Sequence, residues 1–303
     1  MVQSWRALKS LRYILLVAAV SLLIYVIAQV GFGQIVQYLS TIHRGWLLLT
    51  FVFMAVNIFF ATLRFRCLIM TNLSFVYFLK VFLASFLLNY AAMVQGLGLA
   101  AKLGMLKTQQ VPISHSSASI LLEICFDILV CSCIIAVLLF IKIGAGLESS
   151  TVFAIPLIFV AAVGLSLVVV HRFPGRFELA DQFLTALREI GSVPRLSLTL
   201  FYTIGIWVST GAGLYCILNA FQAGPSTDLG LSILAMTSGF LTGLVSLVPG
   251  GIGVRELTWS YIVSWGGYPL ELAGLAAVFY RISAIFLVSV ILAVMSFKKP
   301  SAS

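Results

Sequence analysis

Charge is the scarcest property of this chain. Only 9% of its 303 residues are Asp, Glu, Lys or Arg, and no polar stretch is long enough to form a separate soluble domain. With three histidines, five cysteines and nine acidic residues, the sequence also lacks a metal-spaced His or Cys cluster, a Ser-His-Asp set and a Walker loop. Cys67, Cys125, Cys131, Cys133 and Cys216 are scattered through apolar segments and read as packing residues. These absences exclude an ordinary soluble globular enzyme, and nothing in the sequence asks for a cofactor.

What fills the chain is apolar sequence. Hydrophobic residues make up 61% of it and the mean hydropathy is +1.14. Those values predict an all-α polytopic membrane protein, because a chain in hydrocarbon must satisfy its backbone within helices. The net charge of +9 would suggest nucleic acid in a soluble chain; here it reads as Lys and Arg gathered on the cytoplasmic side of a bilayer. Arg6, Lys9 and Arg12 precede an apolar run too long for a signal-peptide core and without a small-residue cleavage site, so that run is expected to stay as a first span. Six full transmembrane helices are predicted, at residues 11–30, 46–63, 116–141, 151–170, 196–218 and 271–297. Arg64 and Arg66, an amphipathic segment holding Arg172, Arg176, Arg188 and Arg195, and Lys298 and Lys299 mark one side. Both termini are then cytoplasmic, in the cell membrane.

Two further apolar runs, 75–107 and 229–265, are broken. Given the charge placement, each must enter and leave on one face, as a re-entrant hairpin. The single transmembrane domain, 1–303, then divides into halves 1–142 and 151–299 with the order span, span, hairpin, span in opposite orientations. That is an inverted repeat, an architecture that binds substrate near the midplane where broken helices meet. At one constant offset, Gly96-Leu97-Gly98-Leu99 falls on Gly251-Ile252-Gly253-Val254 and Val94 on Pro249, although glycines at this spacing also serve close helix packing. In the second break Pro249 removes a donor, and Gly250, Gly251 and Gly253 permit unusual dihedrals. A helix-compatible run starts at Val254, so its free amides and the positive end of its dipole, with Arg255 beside them, face whatever occupies the break. An anionic group suits such a place.

Pro249-Gly250-Gly251-Ile252-Gly253 with Glu256, followed by Tyr280-Arg281 in the last span, resembles the signature of the lysylphosphatidylglycerol synthase transmembrane region, a flippase-like family that includes stand-alone proteins. The resemblance covers nearly the whole chain. Leu63-Arg64-Phe65-Arg66 is similar to the family's basic motif after the second span, Asn89, Gly98 and Lys102 to its first break, and Glu123 with Asp127 to its acidic helix. The family's first break carries a Pro and an Arg where this chain has Val94 and Gly96, and a basic residue follows the helix glutamate where this chain has Ile124. The second break is therefore the more specific signal. The resemblance implies lipid translocation or handling of lipid-linked intermediates, since the aminoacyltransferase domain of the synthases is absent from this sequence.

His115, Ser119, Glu123 and Asp127 recur at four-residue spacing and share one face of their helix. A charge at the centre of a spanning helix costs on the order of 3 kcal/mol, so both carboxylates need a cavity, a proton or a counter-charge. Arg281 lies about 15 Å into the last span at helical rise and is expected to meet Asp127 or Glu123. Two readings stay open for this trio: an internal ion pair that fixes helix register, or substrate contact. Glu256 either caps its own helix or touches a ligand, and Arg255 either snorkels or faces a cavity. The expected substrate-binding set is Gly96, Gly98, Lys102, Pro249, Gly250, Gly251, Gly253, Arg255 and Glu256. The function expected is translocation of an anionic phospholipid or polyprenyl-phosphate-linked intermediate, without nucleic acid. The alternatives are a membrane enzyme acting on a lipid phosphate, with Glu123 or Asp127 as base, and a scaffold for a membrane glycosyltransferase or lipid-modifying enzyme.

Overall fold

The computed structural model describes residues 40, 42–91, 97–143, 192–221, 227–246, 248, 251 and 253–297. The predicted spans 11–30 and 151–170, most of the amphipathic segment and both termini lie outside the described residues. Among those described, the chain forms eight helices: α1 Arg44–Ile69, α2 Phe75–Ala91, α3 Leu97–Thr108, α4 Ile113–Ile143, α5 Val193–Ala220, α6 Leu229–Val245, α7 Val254–Ser264 and α8 Leu270–Phe297. No strand occurs among these residues.

Length separates the helices into two kinds. α1, α4, α5 and α8 have 26, 31, 28 and 28 residues, more than the roughly 20 that cross a ~30 Å hydrocarbon core. They coincide with four of the predicted spans, and their outward faces are apolar: on α8, Ile282, Phe286, Val290 and Val294 are exposed at four-residue spacing, as a lipid-facing stripe requires. α2, α3, α6 and α7 have 17, 12, 17 and 11 residues, so none is longer than about 26 Å. Both runs expected to be broken are therefore interrupted.

Each interrupted run folds back on itself. In the second, Gly239 of α6 meets Trp259 of α7, Thr242 meets Thr258 and Gly243 meets Arg255. Numbers that rise on one helix as they fall on the other define an antiparallel pair. In the first, Tyr77 donates to the Met105 carbonyl at 2.5 Å and Phe82 lies under the Lys102 ammonium, so α2 and α3 are antiparallel as well. α6 starts at Asp228, whose carboxylate accepts from Gly230 N at 2.9 Å. α3 stops where Gln110 takes φ 61° and Val111 N reaches back to the Leu106 carbonyl at 3.2 Å, a Schellman closure whose two apolar members are both buried.

The chain divides into two compact units, one holding the described residues of Val56–Ser85 and Leu97–Trp207, the other those of Met1–Ala55, Phe86–Gly96 and Val208–Ser303. The core of the first is built from Phe65, Ile69, Phe78, Val81, Leu106 and Ile120, with Phe65 and Phe78 edge to face at 5.6 Å. In the second, Phe221 stacks edge to face on Phe279 and the buried Tyr268 hydroxyl donates to the Leu218 carbonyl at 2.9 Å. Hydroxyls inside the helices return to their own backbone: Thr62 to Ile58 O at 2.8 Å, Thr203 to Thr199 O at 2.8 Å and Ser260 to Glu256 O at 2.7 Å.

In the second unit α5 meets the α6 backbone closely at Gly211, where a Cβ would stand 2.4 Å from Ile233 Cγ1 and 2.7 Å from its Cα. Gly211→Ala is expected to lower the detergent melting temperature by the equivalent of about 1–3 kcal/mol. Gly104→Ala, whose Cβ would meet nothing within 4 Å, should be neutral or stabilise by up to about 1 kcal/mol. Equal effects would mean that the α5–α6 approach does not limit stability.

Candidate functional site

Two charged clusters stand out, one in each unit. In the first, α4 presents its predicted stripe to α1. His115 Nε2 lies 3.1 Å from the Ile69 carbonyl, which can only accept, and the Ser119 hydroxyl donates to the Leu68 carbonyl at 3.1 Å. These contacts satisfy carbonyls at the end of α1 that have no helical donor. Deeper on the stripe, Asp127 receives both ends of the Arg64 guanidinium, at 2.6 and 3.0 Å, and the Trp207 indole N–H at 3.0 Å. Glu123 receives the Lys102 ammonium at 2.7 Å and lies 3.6 Å from Arg64 Nε. Arg64 also donates to Thr203 at 3.2 Å, and Lys102 sits 4.3 Å from the centre of the Phe65 ring. Lys102, Glu123, Arg64 and Asp127 thus alternate in sign through three helices, α1, α3 and α4, with α5 adding a neutral acceptor, Thr203, and a neutral donor, Trp207. Arg64, Lys102 and Glu123 are buried. The set carries no net charge, and its carboxylates are engaged by cations, which makes it a matched internal lock.

The second cluster surrounds the start of α7. Gly251 and Gly253 have φ of 65° and 80°, values that a side chain would strain. Gly251 N donates to the Val248 carbonyl at 2.9 Å, and Gly253 N donates to Glu256 Oε2 at 2.7 Å. Glu256, buried, holds Arg281 Nη1 of α8 with its other oxygen at 2.6 Å. Arg255 lies in a slot between two glycines: a Cβ at Gly243 would fall 2.4 Å from its Nε, and one at Gly251 would fall 2.6 Å from it. Its guanidinium lies 5.7 Å from the Phe240 ring centre, its Nε has no hydrogen-bond partner, and no carboxylate pairs with it among the described residues. Two arginines against one glutamate leave this cluster positive.

Several sequence expectations change here. Arg281 was expected to meet Asp127 or Glu123; it pairs with Glu256, while Arg64 and Lys102 match the α4 carboxylates. Glu256 does cap its helix, because an acidic side chain in a first turn reaches back to the N-cap amide. The break's amides were expected to face an anion, but those of Gly251 and Gly253 are satisfied internally, and the cation left over is Arg255. Gly251 admits the Arg255 side chain. Lys102, expected at a substrate, is ion-paired, and Gly98 is buried within α3. Gly96, Pro249 and Gly250 lie outside the described residues. Arg64 and Trp207 were missed as site residues. Of the two arginines that mark the cytoplasmic side in the sequence, only Arg66 is exposed and Arg64 is buried; the demand of two carboxylates for cations is the sequence signal for Arg64.

These pairings make a direct test. Arg64→Ala leaves Asp127 as a stranded anion and should destabilise by about 3–5 kcal/mol, read as a fall in detergent melting temperature; adding Asp127→Asn should recover part of it. For Arg281→Ala, the rescuing change should be Glu256→Gln, and Asp127→Asn should not rescue. Strict additivity in both cycles would overturn the pairings.

Comparison with curated proteins finds no match. Residues 11–291 match the family described as the lysylphosphatidylglycerol synthase TM region, a stretch that takes in α1 to α7 and all but the end of α8. The four long apolar helices agree with it. The chain is an integral membrane protein that belongs to the lysylphosphatidylglycerol synthase transmembrane-region family, a lipid-related family.

Proposed function

We propose that the protein translocates a phosphate-bearing lipid, either an anionic phospholipid or a polyprenyl-phosphate-linked intermediate, with the phosphate at the α6–α7 break and the chains in surrounding lipid. The observation that carries this reading is Arg255, a guanidinium without a carboxylate partner among the described residues, held in an apolar hairpin between Gly243 and Gly251. A planar fork of N–H donors suits a phosphate, and the start of α7 adds the positive end of its dipole. An enzyme acting on the phosphate would need a free base. The oxygens of Glu123, Asp127 and Glu256 are engaged by Lys102, Arg64, Trp207, Gly253 and Arg281, which favours transport. A membrane glycosyltransferase or lipid-modifying enzyme is the class of partner that would supply or consume such a lipid.

In this reading the chain crosses the cell membrane six times, with both termini cytoplasmic. The two short antiparallel pairs are re-entrant hairpins of an inverted repeat, each ending on the side where it began. Support comes from their lengths, too short for a ~30 Å core. Single cysteines, in a background lacking the native five, should be labelled from outside at 266–269 and 225–228 and from the cytoplasm at 95–110. Labelling of 225–228 and 266–269 from opposite sides would replace the second hairpin by two crossings.

Transport in proteoliposomes tests the site. Arg255→Gln should slow movement of a phosphate-bearing lipid about tenfold or more while leaving the melting temperature nearly unchanged, because no ion pair is broken. Gly251→Val should slow it as well, by displacing Arg255 from its slot, but with a lowered melting temperature, because a β-branched side chain is strained at φ 65°. Unchanged transport in folded Arg255→Gln protein, or equal transport of zwitterionic and anionic lipids, would place the site elsewhere.

A further inference from the structure

The charges of the second unit limit what can sit in the α6–α7 seam. Its segments contain three acidic residues in all, Asp228, Glu256 and Glu271. Asp228 and Glu271 are exposed at the starts of α6 and α8, about 20 Å along α6 from Gly243 and about 15 Å along α8 from Arg281 at helical rise. Only Glu256 is buried, and Arg281 holds it at 2.6 Å. α6 has no titratable residue from Leu229 to Val245, so the helix that faces Arg255 cannot offset its charge at any pH. The remaining titratable groups nearby are Glu256 on α7 and Arg281 with Tyr280 on α8. Among the described residues of this unit, the seam therefore carries an excess of one positive charge. Trp259, 7% exposed and with its indole N–H unpartnered beside Gly239, adds a hydrogen-bond donor to the seam but no charge.

We infer that the α6–α7 seam selects a phosphate of single negative charge, a phosphodiester, over a phosphomonoester or a diphosphate. This rests on the translocation reading above and narrows its substrate class to lipids whose phosphate is esterified on both sides. The physical reason is charge matching, since a charge left over in hydrocarbon is costly whichever its sign. A phosphodiester carries one negative charge, which brings the Arg255 excess to zero. A phosphomonoester carries about −1.5 to −2 near pH 7, with a second pKa of about 6, and leaves part of an anion that no described residue of the unit matches. A diphosphate leaves more. The guanidinium can bind each of these groups, so the discrimination comes from the charge that remains after it has done so.

The test compares two lipids with the same acyl chains in proteoliposomes, phosphatidylglycerol as diester and phosphatidic acid as monoester, each rate corrected for protein-free vesicles. At about pH 8 wild-type protein should move the diester about tenfold or more faster, and at about pH 5, where the monoester is singly charged, the ratio should approach one. The diester, whose charge is constant over this range, reports any titration of the protein itself. A preference that does not change with pH is one of head-group size and overturns the inference, as do equal rates at both pH values. Glu256→Gln keeps an oxygen for the Gly253 amide and adds one positive charge to the site, so it should lower the ratio at the higher pH; an unchanged ratio in folded variant also overturns the inference. If neither lipid moves, translocation is refuted and binding decides the charge match: phosphatidylglycerol should raise the melting temperature of the detergent-solubilised protein more than phosphatidic acid at about pH 8, and equal shifts overturn it. Uptake of soluble dimethyl phosphate without movement of either lipid would uphold the charge match and refute the lipid.

Discussion

A charge in hydrocarbon must be matched, and the arrangement of the first unit follows from that constraint. α4 carries Glu123 and Asp127 on one face, and no neutral surface can accept them. Arg64 and Lys102 do so from α1 and α3, while Thr203 and Trp207 fill remaining hydrogen-bond positions from α5. Each ion pair fixes the rotation of a helix about its own axis, which apolar packing alone leaves weakly specified. Phe65 then serves twice, as a core residue against Phe78 and as the ring beneath the Lys102 ammonium. The apolar cluster and the charged one are therefore built on the same turns of α1 and α3.

The two hairpins show the same constraint met in two ways. Each sets a basic residue of its second helix over a phenylalanine of its first, Lys102 over Phe82 and Arg255 over Phe240. Lys102 has Glu123 as a counter-charge. The glutamate nearest Arg255 in sequence, Glu256, turns to Gly253 and Arg281. A neighbour in sequence points about 100° away around a helix, so it can cap the helix end and bind α8 without reaching the Arg255 side. Lys102 is matched by a carboxylate in one hairpin; in the other, Arg255 has none among the described residues.

Much of the fold was legible because hydrophobic length and four-residue periodicity are local properties. The four long helices, both interruptions and the His115 to Asp127 stripe could be read without knowing any partner. The pairings were not legible, because they depend on which helices adjoin and on how each is rotated. Arg64 and Arg66 carry the same charge two residues apart, yet helical positions that close face different directions, and one is buried while the other is exposed. The glycines misled for a related reason. Glycine declares that something comes close, and only coordinates identify it, which at Gly243 and Gly251 is the Arg255 side chain.

That packing also decides whether Arg255 merely snorkels. A snorkelling arginine extends along its helix toward the headgroups, keeping its guanidinium in water and its stem on lipid. Here Cγ, Cδ and Nε all lie within about 3 Å of where a Cβ would stand on Gly243 and on Gly251, which places the stem and the first guanidinium nitrogen in the hairpin seam. Holding the side chain there requires glycine at both positions, and Gly251 already has a φ that favours glycine. An arginine whose only task was to reach water would need neither. The slot therefore favours a role for the charge inside the hairpin, and the ligand most compatible with an arginine held there is one that brings the missing negative charge.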